Sequence, residues 1–208
     1  QRQMCIRDRF SIRPFIELHY DQTLAALKKW ASDPSEHVRR LVSEGTRPRL
    51  PWAPRLKSFQ QNPSIALPLL EQLRDDPSPY VRKSVANHLN DIGKDHQNTL
   101  LDICTAWLVD APVERTKLVR HALRSLLKAG NPRALALFDC HTSSKFILSD
   151  LFLNPITPRI GDSLNIHFTI QNSATVTQRF CLNYKVLFAK QNGSLSPKVF
   201  RIQDISLA

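Results

Sequence analysis

Glu44 and Asp91 stand 47 residues apart in this 208-residue chain, and Trp52 lies between them. Two carboxylates beside an indole suit one kind of chemistry. Breaking an N-glycosidic bond builds positive charge on the sugar. A carboxylate can stabilise that charge and orient a water, and an indole face can pack on the deoxyribose or attract the cation. Arg47, Arg49 and Lys94 fall in the loops that flank these residues, where they are expected to contact phosphates. Each residue also has a plainer use. An acid at a helix end is often solvated or paired with a neighbouring Arg, and a Trp in a Pro-rich loop is often a plug over the core. No zinc spacing, P-loop, dinucleotide fingerprint or Ser-His-Asp pattern is present, so the reading calls for no metal and no cofactor.

The elements that must position these residues repeat. Trp30-Ala-Ser-Asp-Pro-Ser-Glu-His-Val-Arg-Arg40 is echoed by Leu73-Arg-Asp-Asp-Pro-Ser-Pro-Tyr-Val-Arg-Lys83, with Asp33-Pro34 and Val38-Arg39 recurring 43 residues on. A period of that length, built on an Asp-Pro turn, is the pattern of HEAT-type helical pairs that stack into a solenoid. Glu44 and Asp91 then lie at equivalent ends of second helices, one repeat and about one turn apart, and can approach each other. Arg39 and Arg82 recur too, and fit inter-repeat salt bridges to Asp33 and Asp76.

Helices are expected over most of 11–138. Asp33 is expected to cap the helix from Ser35 to about Gly45, with Pro34 in its first position. Gly45-Thr-Arg-Pro-Arg-Leu-Pro-Trp-Ala-Pro54 must be a loop. Tyr80 to Ile92 is the equivalent second helix, ended by Gly93 as a left-handed cap. Asn98–Leu108 and Val113–Ala129 form a third pair, spaced 34 residues from the second and less well matched. His37, His88, His96 and His121 lie on or beside helices without metal-like grouping.

After about His141 the pattern changes to alternation. Ser163 to Ile170 puts Leu164, Ile166, Phe168 and Ile170 on one face of a strand. Further strands are expected over Ile147–Asn154, Phe180–Phe188 and Lys198–Ile205, with Asn192-Gly193 as a hairpin turn. Several short strands suggest a sandwich, though about four are too few to close a seven-stranded one. The expected architecture is mainly α, a HEAT-like α-solenoid followed by a partial immunoglobulin-like β-sandwich, joined by a linker near 140–146.

Lys and Arg number 29 against 18 Asp and Glu, a formal charge of +11. The excess is spread: +2 over residues 1–9, +5 over 10–140 and +4 over 141–208. Spread charge fits a folded protein lying along a polyanion better than one with a basic tail. Cys5, Cys104, Cys140 and Cys181 show no metal spacing and are read as free thiols in a reducing compartment, with Cys104 in the core. No membrane span or signal peptide is recognisable. Residues 1–9 share no pattern with the rest of the chain and are read as a leader foreign to the fold. The chain's last residues, Ser206-Leu207-Ala208, are read as a cut end.

Ser43-Glu-Gly-Thr-Arg-Pro-Arg-Leu-Pro-Trp52, Asn87-His-Leu-Asn-Asp-Ile-Gly-Lys-Asp95 and Ile12-Arg-Pro-Phe-Ile16 together resemble the HEAT-like-repeat DNA alkylation repair glycosylases, and most of all their AlkC branch. The resemblance runs from Phe10 over nearly the whole chain. It implies a DNA-binding glycosylase domain at 10–140 and an immunoglobulin-like domain at 147–208. It implies monofunctional excision of N3-alkylated bases, chiefly 3-methyladenine, from bent duplex DNA, by a monomer in the bacterial cytoplasm. Carried onto this chain, Asp91 is the carboxylate facing the sugar, Trp52 the aromatic beside it and Glu44 a second acid. The family has an acidic residue directly before the Phe matched by Phe10, where this chain has Arg9. Two other readings stay open: a HEAT scaffold that binds protein, and a structure-specific DNA-binding module without glycosylase activity.

Overall fold

The computed structural model describes residues 4–140, 145–159 and 161–208, with side chains from Phe10 onward. Two compact units form, Gln1–Leu127 and Lys128–Ala208. Cys5 and Arg9 as side chains, and residues 141–144 of the expected linker, lie outside what is described.

The first unit is helical. Its elements are α1 (Met4–Leu18), α2 (Tyr20–Trp30), α3 (Glu36–Gly45), α4 (Lys57–Gln61), a 3-10 turn (Pro63–Ile65), α5 (Leu67–Leu73), α6 (Pro79–Ile92), α7 (Gln97–Leu108), α8 (Val113–Ala122) and α9 (Arg124–Lys128). The backbone of α1 reaches back into the stretch read as a leader. The expected single helix Val113–Ala129 is broken at Leu123, a fully buried residue with φ −81° and ψ 1°.

The repeated Asp-Pro-Ser works differently from the expectation. Ser35, not Asp33, is the N-cap residue of α3, and Asp33 Oδ1 instead accepts from the Ser35 N–H at 2.8 Å. Asp76 does the same to the Ser78 N–H at 2.9 Å, and Ser78 Oγ caps α6 by accepting from Tyr80 N–H at 3.3 Å. A short Asp side chain closes a turn over its second neighbour, which leaves the following Ser at the helix mouth. Arg39 then clamps two repeats. It donates to the Asp33 and Pro34 carbonyls at 2.8 and 3.0 Å, and both oxygens of Asp76 accept from its Nε and Nη2 at 2.6 and 3.0 Å. The expected inter-repeat salt bridge is thus Arg39–Asp76, while Arg82 repeats the backbone half by donating to the Asp76 and Pro77 carbonyls.

α6 packs between α3 and α8, and α1 packs on α3. The shared core includes Leu27, Val42, Val81, Val85, Leu89, Leu100 and Leu123, all fully buried. Each such side chain is worth roughly 1.5–3 kcal/mol of burial. Two glycines let helix ends come close. A Cβ on Gly45 would sit 2.6 Å from Ile12 Cγ2 of α1. Gly93 is not the left-handed cap expected of it: its φ is −63°, and it is small because Leu100 occupies the space a Cβ would need.

The second unit contains α10 (Pro132–Ala136), capped by Asn131, and the strands β1 (Phe146–Asn154), β2 (Asn165–Asn172), β3 (Gln178–Ala189) and β4 (Leu195–Leu207). β1 pairs antiparallel with β2, and β3 with β4, giving two two-stranded sheets. The β3–β4 turn uses Gly193 at φ +76°, as the Asn-Gly pair predicts. A register shift between Ser149 and Phe152, with Asp150 at φ +54°, accounts for the imperfect alternation of β1. Cys140 bridges Arg179 at the start of β3, which sets it against Cys181, and the two form a disulfide. The free-thiol reading is therefore corrected for this pair. Cys104 is a fully buried free thiol, pushed up to about 12 by burial. Among the described residues no helix is long and apolar enough to cross a membrane.

Candidate active site and nucleic-acid interface

Glu44 ends the last turn of α3 and Asp91 lies in the last turn of α6, and the packing of these helices brings both acids onto one cation. Arg47 lies between them. Its Nη1 donates to Glu44 Oε1 at 2.8 Å, and its Nε and Nη2 meet Asp91 Oδ2 at 2.8 and 2.7 Å. Lys94, one turn past Asp91, donates to Asp91 Oδ1 at 2.9 Å. Both Asp91 oxygens are therefore held by cations. The Glu44 Oε2 atom accepts from Ser84 Oγ at 2.7 Å and faces Arg40 at 3.6 Å. Asp91 is 1 % exposed and Glu44 3 %.

Burial is the largest influence on Glu44 and pushes its carboxyl up, but Arg47, Ser84 and Arg40 together outweigh it and hold it below the ordinary range. His88 fills the space behind the pair. It is fully buried, its Nδ1–H donates to the Ser43 carbonyl at 2.9 Å, and its Nε2 has no partner among the described residues. Burial drives it down to about 4, against the opposing pull of the Ser43 carbonyl and Asp91. It is a neutral packing group at pH 7.

The loop after α3 is pinned from below. Arg13 of α1 donates to the carbonyls of Gly45 (3.1 Å), Arg47 (2.9 Å) and Pro54 (2.5 Å), closing both ends of the loop on one guanidinium. Burial, with Arg47 adding to it, lowers Arg13 to about 10 against the charge of Glu17. Leu50 and Leu56 are buried as anchors. The same loop lifts Trp52 into solvent at 98 % exposure, with φ +70°. It is not a plug over the core. A large residue held in the left-handed region is strained, and such strain clusters where a ligand is met.

The structure thus joins Glu44, Asp91, Arg47 and Lys94 in one network and sets Trp52 on the loop that leaves it. Arg47 is turned inward, its side chain 9 % exposed, because two buried carboxylates demand a counter-charge; it does not stand at a surface open to phosphate. Arg49 is bound to Asp95 through Nε and Nη2 at 2.7 and 2.5 Å. Hydrogen bonding to Asp95 raises Arg49, and the reciprocal bond from Arg49 lowers Asp95. Arg13, Ser84 and His88 were not singled out from the sequence as parts of the site. The signal available for Arg47's inward turn was its place three residues after Glu44, just past the end of α3.

The HEAT repeat family model matches residues 66–96, which include α5 and α6. The model described as the C-terminal Ig-like domain of the uncharacterised protein YhaZ matches residues 148–208. The uncharacterized protein YhaZ of Bacillus subtilis (strain 168) is 40 % identical over 198 residues, covering 95 % of this chain and 55 % of its own length. The Pseudomonas fluorescens alkylpurine DNA glycosylase AlkC, solved bound to DNA containing an abasic site analog, matches with a TM-score of 0.90 and 41 % identity over 96 % of this chain. The chain is similar to AlkC in sequence and in fold. It spans 55 % of the AlkC structure's length, as it does of YhaZ. The HEAT match includes the helix carrying Asp91, while Glu44 and Arg47 precede the matched residues.

Proposed function

We propose that this chain is a DNA repair glycosylase that excises N3-alkylated bases such as 3-methyladenine from duplex DNA. The reaction adds water across the N-glycosidic bond: C1′ gains the hydroxyl, the base leaves, and one proton is released. An N3-alkylated purine is already cationic, so it leaves neutral and the positive charge passes to the sugar. The observation that carries the reading is Asp91, a carboxylate clamped by two cations beside a loop that holds an indole in solvent. Its likeness to a DNA-bound alkylpurine glycosylase over 96 % of the chain supports the same reading.

Lys94 has a side chain 48 % exposed and covers Asp91 Oδ1. Swinging it away opens the carboxylate to the sugar and frees an ammonium for a phosphate. Arg47 stays behind and fixes Oδ2. Trp52 packs on the deoxyribose, and Glu44 holds Arg47 in place. The test is single-turnover release of 3-methyladenine from methylated duplex DNA. Asp91→Asn keeps size and removes charge, so release falls by roughly a hundredfold or more, the scale of losing one preorganised electrostatic group. DNA affinity holds or rises. Release by Asp91→Asn at the parent rate refutes the assignment.

A further inference from the structure

The three cations first expected on phosphate are all engaged by carboxylates: Arg47 by Glu44 and Asp91, Arg49 by Asp95, Lys94 by Asp91. Other cations are not. Between α6 and α8 runs a groove of about 410 Å³, lined by Arg82, Lys83, Glu114, Lys117, Leu118 and His121 among others. Lys83 and Lys117 are exposed, and among the described residues neither forms an ion pair. Arg82 is fixed in position by the Asp76 and Pro77 carbonyls. His121 Nε2–H donates to Asn87 Oδ1 at 3.1 Å, tying the walls of the groove together.

The register of the repeats supports a ligand. Arg40, Lys83 and Lys117 are equivalent: 43 residues separate the first two and 34 the last two, the offsets of the repeats themselves. Arg40 is bound to Tyr80, its Nη1 donating to the phenol at 2.6 Å and its guanidinium 4.2 Å from the ring centroid. Lys83 and Lys117 have no such internal use. Arg82, Lys83 and Lys117 leave the groove net positive against the one carboxylate of Glu114, and an anion between its walls lowers the remaining repulsion.

From this we infer that the α6–α8 groove seats a backbone phosphodiester of duplex DNA, held by Lys83 and Lys117. Lys83 precedes Asp91 by eight residues on one helix, so the seat lies about 12 Å along the axis from the carboxylate. That is the axial rise of roughly three to four nucleotides of one strand. The seat grips the strand beside the lesion, not at it. The inference takes duplex DNA as the partner from the proposed function, and does not need base release.

The experiment titrates the parent, Lys83→Met/Lys117→Met and Lys28→Met/Lys29→Met with lesion-free duplex DNA across a series of salt concentrations. Base release from methylated DNA is measured in parallel. Loss of one seated phosphate lowers the slope of log affinity against log salt by about 0.9 in Lys83→Met/Lys117→Met. Lys28 and Lys29, exposed on α2, carry the same charge and leave the slope unchanged. Equal slopes in parent and groove variant overturn the seat, as does an equal drop in both variants or no binding by the parent. If the parent binds DNA and the groove variant loses slope while no base is released, the seat stands and the glycosylase reading falls. If base is released and slopes are equal, the reverse holds.

Discussion

Replacing Arg47 with Met removes the one group that both Glu44 and Asp91 require. The side chain keeps most of its length, so the perturbation is chiefly charge. Asp91 retains Lys94 on Oδ1 and Glu44 retains Ser84 and the more distant Arg40. Each acid nonetheless loses its nearest counter-charge while remaining almost wholly buried. Removing one partner of a buried ion pair costs about 3–5 kcal/mol. With a urea dependence of about 2 kcal/mol per molar, the unfolding midpoint falls by about 1.5–2.5 M. Adding Glu44→Gln and Asp91→Asn to Arg47→Met recovers most of that loss, because no buried charge is then left bare. The pH dependence adds a second check. In the parent, Glu44 is held below its ordinary value, so its stabilisation is present above about pH 4.3 and is lost as pH falls through the lower folded value. Without Arg47 the largest influence opposing burial is gone, so Glu44 moves up from its value in the parent. The deficit of Arg47→Met relative to the parent therefore shrinks on acidification. A loss below about 1 kcal/mol, the range of an exposed pair, would refute the account of Arg47 as the buried counter-charge.

His88 titrates at about 4 when folded and 6.5 when free, so between these values the unfolded chain binds a proton that the folded chain does not. Stability falls as pH drops through that window, by about 3 kcal/mol in all for this group. His121, also lowered, adds in the same direction, and His88→Met must therefore flatten the midpoint-against-pH curve relative to the parent; an unchanged curve refutes the buried neutral His88. Trp52→Ala leaves the unfolding free energy within about 0.5 kcal/mol, since the indole is in solvent, yet slows base release through lost packing on the sugar. Release at the parent rate in single-turnover assays places the indole away from the substrate.

The repeat was legible because its punctuation is local. Asp33-Pro34 and Asp76-Pro77 close turns, and Arg39 can reach across to Asp76 only if consecutive pairs stack in register, which the offset predicted. The strands were legible for the same reason, through alternation and one Asn-Gly turn. Where long-range packing decides, the sequence was silent. Gly93 looked like a left-handed cap, but a neighbour's bulk, Leu100, explains its size. Cys140 and Cys181 are 41 residues apart, and only the pairing of the chain before β1 with the start of β3 brings them together.

The inward turn of Arg47 carries the wider point about charge. Carboxylates at helix ends on one packed face are not buried together without a cation, so the burial of Glu44 and Asp91 obliges a nearby Arg or Lys to serve them. Arg47, three residues from Glu44 and on the loop facing Asp91, is the group in place to do so, and it cannot also lie on phosphate. A net charge of +11 hides this division. Part of it is consumed inside ion pairs that build the site, and part stays outward on residues such as Lys83, which has no acid three or four positions away on its own helix. Counting basic residues near a candidate site therefore overstates its grip on DNA. The cations open to phosphate are those left after each buried carboxylate has been given its partner, and Lys83 and Lys117 are two such residues, on α6 and α8, set a few nucleotides' rise from Asp91.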